Sequence, residues 1–176
     1  IEAGREYPLF GQRYFPKLHR PKGLLHFRNS RNLVIENVTI IDPPCYTVWL
    51  LGCEEVAIQG VKIRAHLSSP NTDGLDIDCC KNVRITGCDI SCGDDAIAIK
   101  SDTHELGFDK PCENIIITGC LLKTSSCGVR LGYEGDGEIR HIVVSDCVIY
   151  DSMIGISLMS VVDPFNQRGI IIKYGP

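Results

Sequence analysis

The chain has 176 residues and a mass of 19.5 kDa, is 44% apolar and 23% charged, and carries a formal net charge of −4 with a pI near 5.7. That is enough apolar chain for one packed domain and too little length for two ordinary ones, and it argues against disorder. There is no basic excess to neutralise phosphates, no apolar run approaching the ~18 residues of a membrane helix, and no charged-then-apolar leader after Ile1. The start reads as a cut end, and the chain as a fragment of something longer.

Residues 1–22 are expected to form an irregular leading segment, with Tyr7, Phe10, Tyr14 and Phe15, lying over a cleft or capping the domain. A repeat follows. Leu33–Ile40, Val56–Ile63, Val83–Ile90, Ile115–Leu122 and Ile142–Ile149 each read apolar-x-apolar-x-x-apolar-x-apolar, with starting residues offset by 23, 27, 32 and 27. Period-2 alternation with one slip predicts a strand, a tight bend at Asn or Gly, and a second strand. A further alternating strand is expected at Thr47–Leu51, Gly74–Asp78, Ala96–Lys100, Gly128–Gly132 and Gly155–Met159. Helical periodicity is absent, and no two-residue Asn-Gly or Asp-Gly turn joins successive predicted strands, as a sandwich of hairpins would want. Strand-rich units repeated in this way predict an all-β domain, a parallel β-helix with coils over 23–160 and a fading end over 161–176, lacking terminal coils. The ten cysteines then find a place. Val38, Val61, Cys88, Cys120 and Cys147 share one repeat position, and Cys53 and Cys80 share another, so most are expected to be reduced packing residues.

Acidic residues cluster in Asn71-Thr72-Asp73-Gly74 and Gly93-Asp94-Asp95, which open two successive coils. Stacking coils brings Asp73, Asp94 and Asp95 together on one outer face. Like charges in contact raise the pKa of one carboxyl, supplying an acid and a base side by side, as glycosidic hydrolysis requires. The same residues also suit plain turns.

From about Arg20-Pro21 to Ser160 the chain resembles glycoside hydrolase family 28, the polygalacturonase family of pectin-degrading enzymes. The resemblance is carried by Asn71-Thr72-Asp73-Gly74 and by Gly93-Asp94-Asp95 leading into Ile97-Ala98-Ile99-Lys100-Ser101. It implies a right-handed parallel β-helix and inversion at the anomeric carbon. Asp94 would be the general acid, with Asp73 and Asp95 holding and deprotonating water, and acid and base would stand ~6.5–9.5 Å apart. It implies no metal or cofactor. The partner would be a polysaccharide or oligosaccharide, without nucleic acid or membrane, bound by a monomer that works outside the cell or in a periplasm, or in the cytoplasm on short oligomers.

Two departures stand out. The family's His motif is matched by Ser126-Cys127-Gly128, and its Arg-Ile-Lys by Ser157-Leu158-Met159. Loss of the cations that grip a uronate predicts a substrate other than plain polygalacturonate, rhamnogalacturonan-like or substituted. It also leaves a second reading, a β-helix that binds carbohydrate without cutting it. Arg130 and Lys100 alternate outward and are expected to restore positive charge near the acidic cluster, unless they only neutralise Asp95 or Glu134. Asn71 and Cys127 are expected to contact substrate. Trp49 faces outward and is expected either to stack on a sugar or to pack under residues 1–20. Asp76 and Asp78 fall on the same strand face. The insertion Ser101–Pro111 carries His104, a surface residue or a stand-in for the missing His, and its length suggests exo action.

Overall fold

The computed structural model describes the backbone of residues 2–7 and 11–15, and residues 19–159 with their side chains. Strands β1 (Glu2–Tyr7) and β2 (Gly11–Phe15) pair antiparallel. The leading segment is therefore a ribbon where irregular chain was expected. Aromatic residues at its strand ends favour extended backbone, and no repeat frames them in the sequence. The expected fading end, 161–176, lies outside the described residues.

Each coil then contributes three strands. The first has β3 (Gly23–Arg28), β4 (Arg31–Glu36) and β5 (Thr39–Ile41), and the second β6 (Tyr46–Leu51), β7 (Glu54–Gln59) and β8 (Lys62–Arg64). The third has β9 (Leu75–Asp78), β10 (Lys81–Thr86) and β11 (Asp89–Cys92). The fourth has β12 (Ile97–Ser101), the one-turn helix α1 (Thr103–Leu106), β13 (Cys112–Thr118) and β14 (Leu121–Thr124). The fifth has β15 (Cys127–Gly135), β16 (Ile139–Ser145) and β17 (Val148–Ile149), and β18 (Ile154–Met159) opens another. Equivalent strands pair in parallel from coil to coil, giving one six-stranded and two five-stranded sheets. This is the parallel β-helix that the repeat predicts.

Inward rows hold the coils in register. Leu25, Val48, Leu75, Ile97, Val129 and Ile156 are successive partners in the first sheet, and Phe27, Leu50, Ile77, Ile99, Leu131 and Leu158 form the row beside them. Central members are fully buried, each contributing about 1.5–3 kcal/mol. A slip of one residue would turn a whole row outward. Between second and third strands the bend falls at Asn37, Gly60, Gly87, Gly119 and Asp146, all with φ between 54° and 64°. Only Gly, Asn and Asp enter this left-handed region cheaply, which is why the repeat slips at these residues.

Two thiol ladders line the interior. Cys53, Cys80 and Cys112 point their Sγ at the carbonyls of Phe27, Leu50 and Ile77 in the preceding coils, at 3.4, 3.4 and 3.5 Å. Cys88, Cys120 and Cys147 form the other at the bend-following position, with Cys88 and Cys120 buried. An outer row alternates in sign through Arg31, Glu54, Lys81, Glu113 and Arg140, each the register partner of the next. Arg31–Glu54 and Lys81–Glu113 close at 2.8 Å and Arg140–Glu113 at 2.6 Å.

A Cβ built on Gly87 meets no atom within 4 Å, so a substitution there reads backbone conformation alone. Gly87→Ala is expected to lower the unfolding free energy by about 1–2 kcal/mol. Gly87→Asn, copying Asn37, should be close to neutral. Denaturant unfolding of both variants checks this.

Candidate active site

Asp73, Asp94 and Asp95 sit where two coils enter the first sheet. The backbone ladder runs through this entry: Gly74 N donates to Asp95 O at 2.9 Å, and Ala96 N to Cys127 O at 2.9 Å. A Cβ on Gly74 would collide with the Ala96 carbonyl, and one on Gly93 with the Ser69 carbonyl. The glycines of both acidic motifs therefore allow the coils to close up. Asp95 follows Asp73 up this ladder, and Asp94 flanks the pair.

One carboxylate oxygen from each of the three lies within 4.8 Å of the others. That is closer than the ~6.5–9.5 Å expected of an inverting pair, so spacing alone does not assign the stereochemistry. Asp73 and Asp95 are buried, and Asp94 is half-buried. Asp95 Oδ1 accepts from Ser126 Oγ at 2.7 Å and from Cys127 N at 3.1 Å. Asp94 Oδ2 accepts from Asn71 N at 3.0 Å. Thr72 Oγ1 accepts from Gly93 N at 3.1 Å, and the Asp94 carbonyl accepts from Thr124 Oγ1. Burial, then repulsion from Asp76, Asp94 and Asp95, push the Asp73 pKa well up against the pull of Lys100. The carboxyl driven toward its protonated form is thus Asp73. With Asp73 inclined to hold a proton and Arg130 already against Asp95, the cluster suits a shared proton and a water better than a divalent cation.

The cations do not reach outward. Arg130 Nε is 2.7 Å from Asp95 Oδ2, and Arg130 Nη2 is 3.2 Å from Glu134 Oε2. Lys100 Nζ is 2.7 Å from both Asp76 Oδ1 and Glu134 Oε2, and 4.5 Å from the centre of the Tyr46 ring. Both cations are held among protein carboxylates, with Glu134 bridging them. In the structure both cations are ion-paired to Asp95, Asp76 and Glu134, the arrangement of the second expectation, while Lys100 also lines the groove. The next coil does not compensate, because Ser157 is the register partner of Arg130.

A groove of 380 Å³ crosses the first sheet beside the cluster, lined among others by Asn71, Tyr46, Trp49, Lys100 and Glu134. Trp49 points out of the coil as expected but is only 5% exposed. Its ring stacks on His26 at 4.2 Å and packs with Leu106 of the insertion. It therefore forms a packed wall of the groove. The insertion folds back over earlier coils. Asp102 caps α1 through Glu105 N at 3.0 Å, Leu106 O accepts from Arg28 Nη2 at 2.7 Å, and Lys110 Nζ donates to Gly52 O at 2.7 Å. Glu105 meets Lys22 at 3.1 Å, walling one side of the groove. His104 is exposed on α1 and is no stand-in for the missing His.

Of the two other expected substrate contacts, Cys127 turns inward and Asn71 lines the groove. The Cys127 thiol is buried and pushed up to about 11 by burial and Asp95, and what it offers the site is its backbone N–H. The Asn71 side-chain oxygen is taken by Arg20 at 2.8 Å. Arg20, Tyr46 and His26 enter the site unannounced, while Glu134 takes the neutralising place named for it. Only His26 carried a signal, as the partner of Trp49 in the outward row.

A family profile described as "Glycosyl hydrolases family 28" matches residues 11–163. Among curated proteins, the chain is 33% identical to a probable polygalacturonase of Vitis vinifera over 77% of its own length and 28% of that protein's. It is 36% identical to probable polygalacturonase At3g15720 of Arabidopsis thaliana, over 74% of this chain and 27% of that one. Among solved structures, a hyperthermoactive exopolygalacturonase from Thermotoga maritima superposes with a TM-score of 0.69 at 30% identity, covering 77% of this chain and 31% of that one. The chain thus spans roughly 30% of these relatives' length.

Burial raises Asp76 and Asp78 each to about 6, above the ~3.9 of an unfolded aspartate. Protons therefore bind the folded form more tightly. This stabilisation is complete below about pH 4 and is lost as pH rises through about 6. Asp78→Asn keeps an acceptor for Asp102 N, and is expected to flatten the fall in unfolding free energy between pH 4 and 7 by on the order of 2 kcal/mol. Denaturant unfolding across that range measures it.

Proposed function

This chain belongs to glycosyl hydrolases family 28, and from that premise we propose that it hydrolyses glycosidic bonds of a pectin-type polysaccharide or oligosaccharide with inversion. The carrying observation is the convergence of Asp73, Asp94 and Asp95 within 4.8 Å, with Asn71, whose N–H binds Asp94, lining the neighbouring groove. Asp94, the most exposed of the three, gives its proton to the leaving oxygen as the glycosidic bond breaks. A water held between Asp73 and Asp95 attacks the anomeric carbon from the opposite face and loses its proton to the pair. In the reactive form the proton shared within the cluster sits on Asp94 and Asp73 is ionised; an environment that favours a proton on Asp73 then suits it to accept one from the water. Ser126, the Cys127 N–H and Arg130 hold Asp95 in orientation.

The substrate reading follows from charge. Two cations stand among five carboxylates, Asp73, Asp76, Asp94, Asp95 and Glu134, and both cations are engaged by protein. A free uronate carboxylate would enter this groove without a partner, which is costly. The proposed substrate therefore carries a neutral or esterified sugar at the reacting position, as rhamnogalacturonan-like or substituted chains do. The wall built by Lys22, Glu105 and α1 supports cutting at a chain end. A polymeric substrate of this kind places the protein outside the cell or in a periplasm. No described helix is long and apolar enough to cross a membrane.

Asp94→Asn is expected to lower kcat by about 10²–10⁴-fold on the substrate that the parent protein cleaves. A panel of polygalacturonate, methyl-esterified pectin, rhamnogalacturonan and xylogalacturonan, read by reducing-end release, identifies that substrate. Proton NMR of the first product should show the anomer opposite to the bond cleaved. Release that persists in Asp94→Asn contradicts the role of Asp94, and a retained anomer contradicts inversion. A folded protein that binds a panel member and cuts none supports the non-catalytic reading instead.

A further inference from the structure

Arg20 precedes the first coil, yet its guanidinium reaches three groups, one at the turn that opens the second coil and two at the turn that opens the third. Nη1 donates to Pro70 O at 2.6 Å and to Pro44 O at 3.2 Å, and Nη2 donates to Asn71 Oδ1 at 2.8 Å. Asn71 is held at φ 57°, in the left-handed region, and in that conformation its N–H donates to Asp94 Oδ2 at 3.0 Å. Thr72, the next residue, donates its hydroxyl to Ser69 O at 2.8 Å and accepts from Gly93 N at 3.1 Å. One fork of donors thus ties two preceding turns to the residue whose amide fixes one oxygen of Asp94.

We infer that Arg20 is a positioning residue for Asp94, acting through Asn71. The inference rests on Asp94 being the general acid. A planar guanidinium can hold three acceptors in fixed directions, and an ammonium cannot. Without the fork, the Pro70–Asn71 turn loses its tie to Pro44 and the amide is free to rotate away from the carboxyl. Binding of the sugar, which Arg20 does not line, is left in place. The loss should therefore fall on kcat and appear where proton donation limits the rate.

The test compares Arg20→Ala and Arg20→Lys with the parent on two substrates of the same sugar. One is the natural glycoside, whose leaving alcohol needs a proton. The other is the 2,4-dinitrophenyl glycoside, whose leaving group departs without one. On the natural glycoside, kcat should fall about 10²-fold in both variants with KM little changed. On the dinitrophenyl glycoside the loss should be under about 3-fold. Millimolar guanidinium should restore part of the Arg20→Ala activity. Equal losses on both substrates, or full activity in Arg20→Lys, would overturn the inference. Hydrogen exchange supplies an arm that needs no turnover, and so separates failure here from failure of the hydrolase reading. The Asn71 amide should exchange at least about 10-fold faster in Arg20→Ala while the amides of β9 hold their rates. Unchanged Asn71 protection, or acceleration spread evenly over the third coil, would overturn the clamp.

Discussion

Parallel register between successive coils is the constraint on which the rest of the structure depends. Each inward row, such as Val48, Leu75, Ile97 and Val129, needs its members stacked with the right face inward. The left-handed bend once per coil keeps the alternation in phase across two strands. The same register carries the chemistry. Asp73 and the Asp94-Asp95 pair are 21 residues apart in the chain and meet only because two coils stack. The glycines beside them have no room for a side chain for the same reason.

Register also concentrates charge, and the site is shaped by how that charge is balanced. Burying several carboxylates together is unfavourable unless protons or cations compensate. Lys100 and Arg130 do so from the outward face, and Glu134 joins them at the end of β15. Asp73 is left to the proton. The balance that holds the fold thus engages both Lys100 and Arg130 with protein carboxylates. On the next strand of the first sheet, Ser157, Leu158 and Met159 add no charge.

What could be read from sequence was what repeats. Period-2 alternation located the inward rows, and stacking then placed the three aspartates together without any further assumption. The strand β3 escaped because it precedes the first complete repeat. Glu134 was legible as a neighbour of Arg130, but its bridge to Lys100 was not, because positive φ at Gly132, Tyr133 and Gly135 breaks the alternation there. Trp49 was placed on the correct face, but its cover comes from Leu106, more than fifty residues on, in the one coil that departs from the repeat. Arg20 left no trace, since its partners are two carbonyls and an amide oxygen brought to it by coiling. Side-chain direction is local. Side-chain occupancy, whether a cation faces substrate or a neighbouring carboxylate, is decided between coils.

The central claim is that protein carboxylates have already engaged the groove's cations. Calorimetry on Asp94→Asn protein at low salt, with one short galacturonide as its free acid and as its methyl ester, tests it most directly. The ester should bind at least about 10-fold more tightly, and Glu134→Gln, which releases Lys100 and Arg130 from their bridge, should narrow that gap by strengthening the acid. Tighter binding of the free acid, indifferent to Glu134→Gln, would contradict the account.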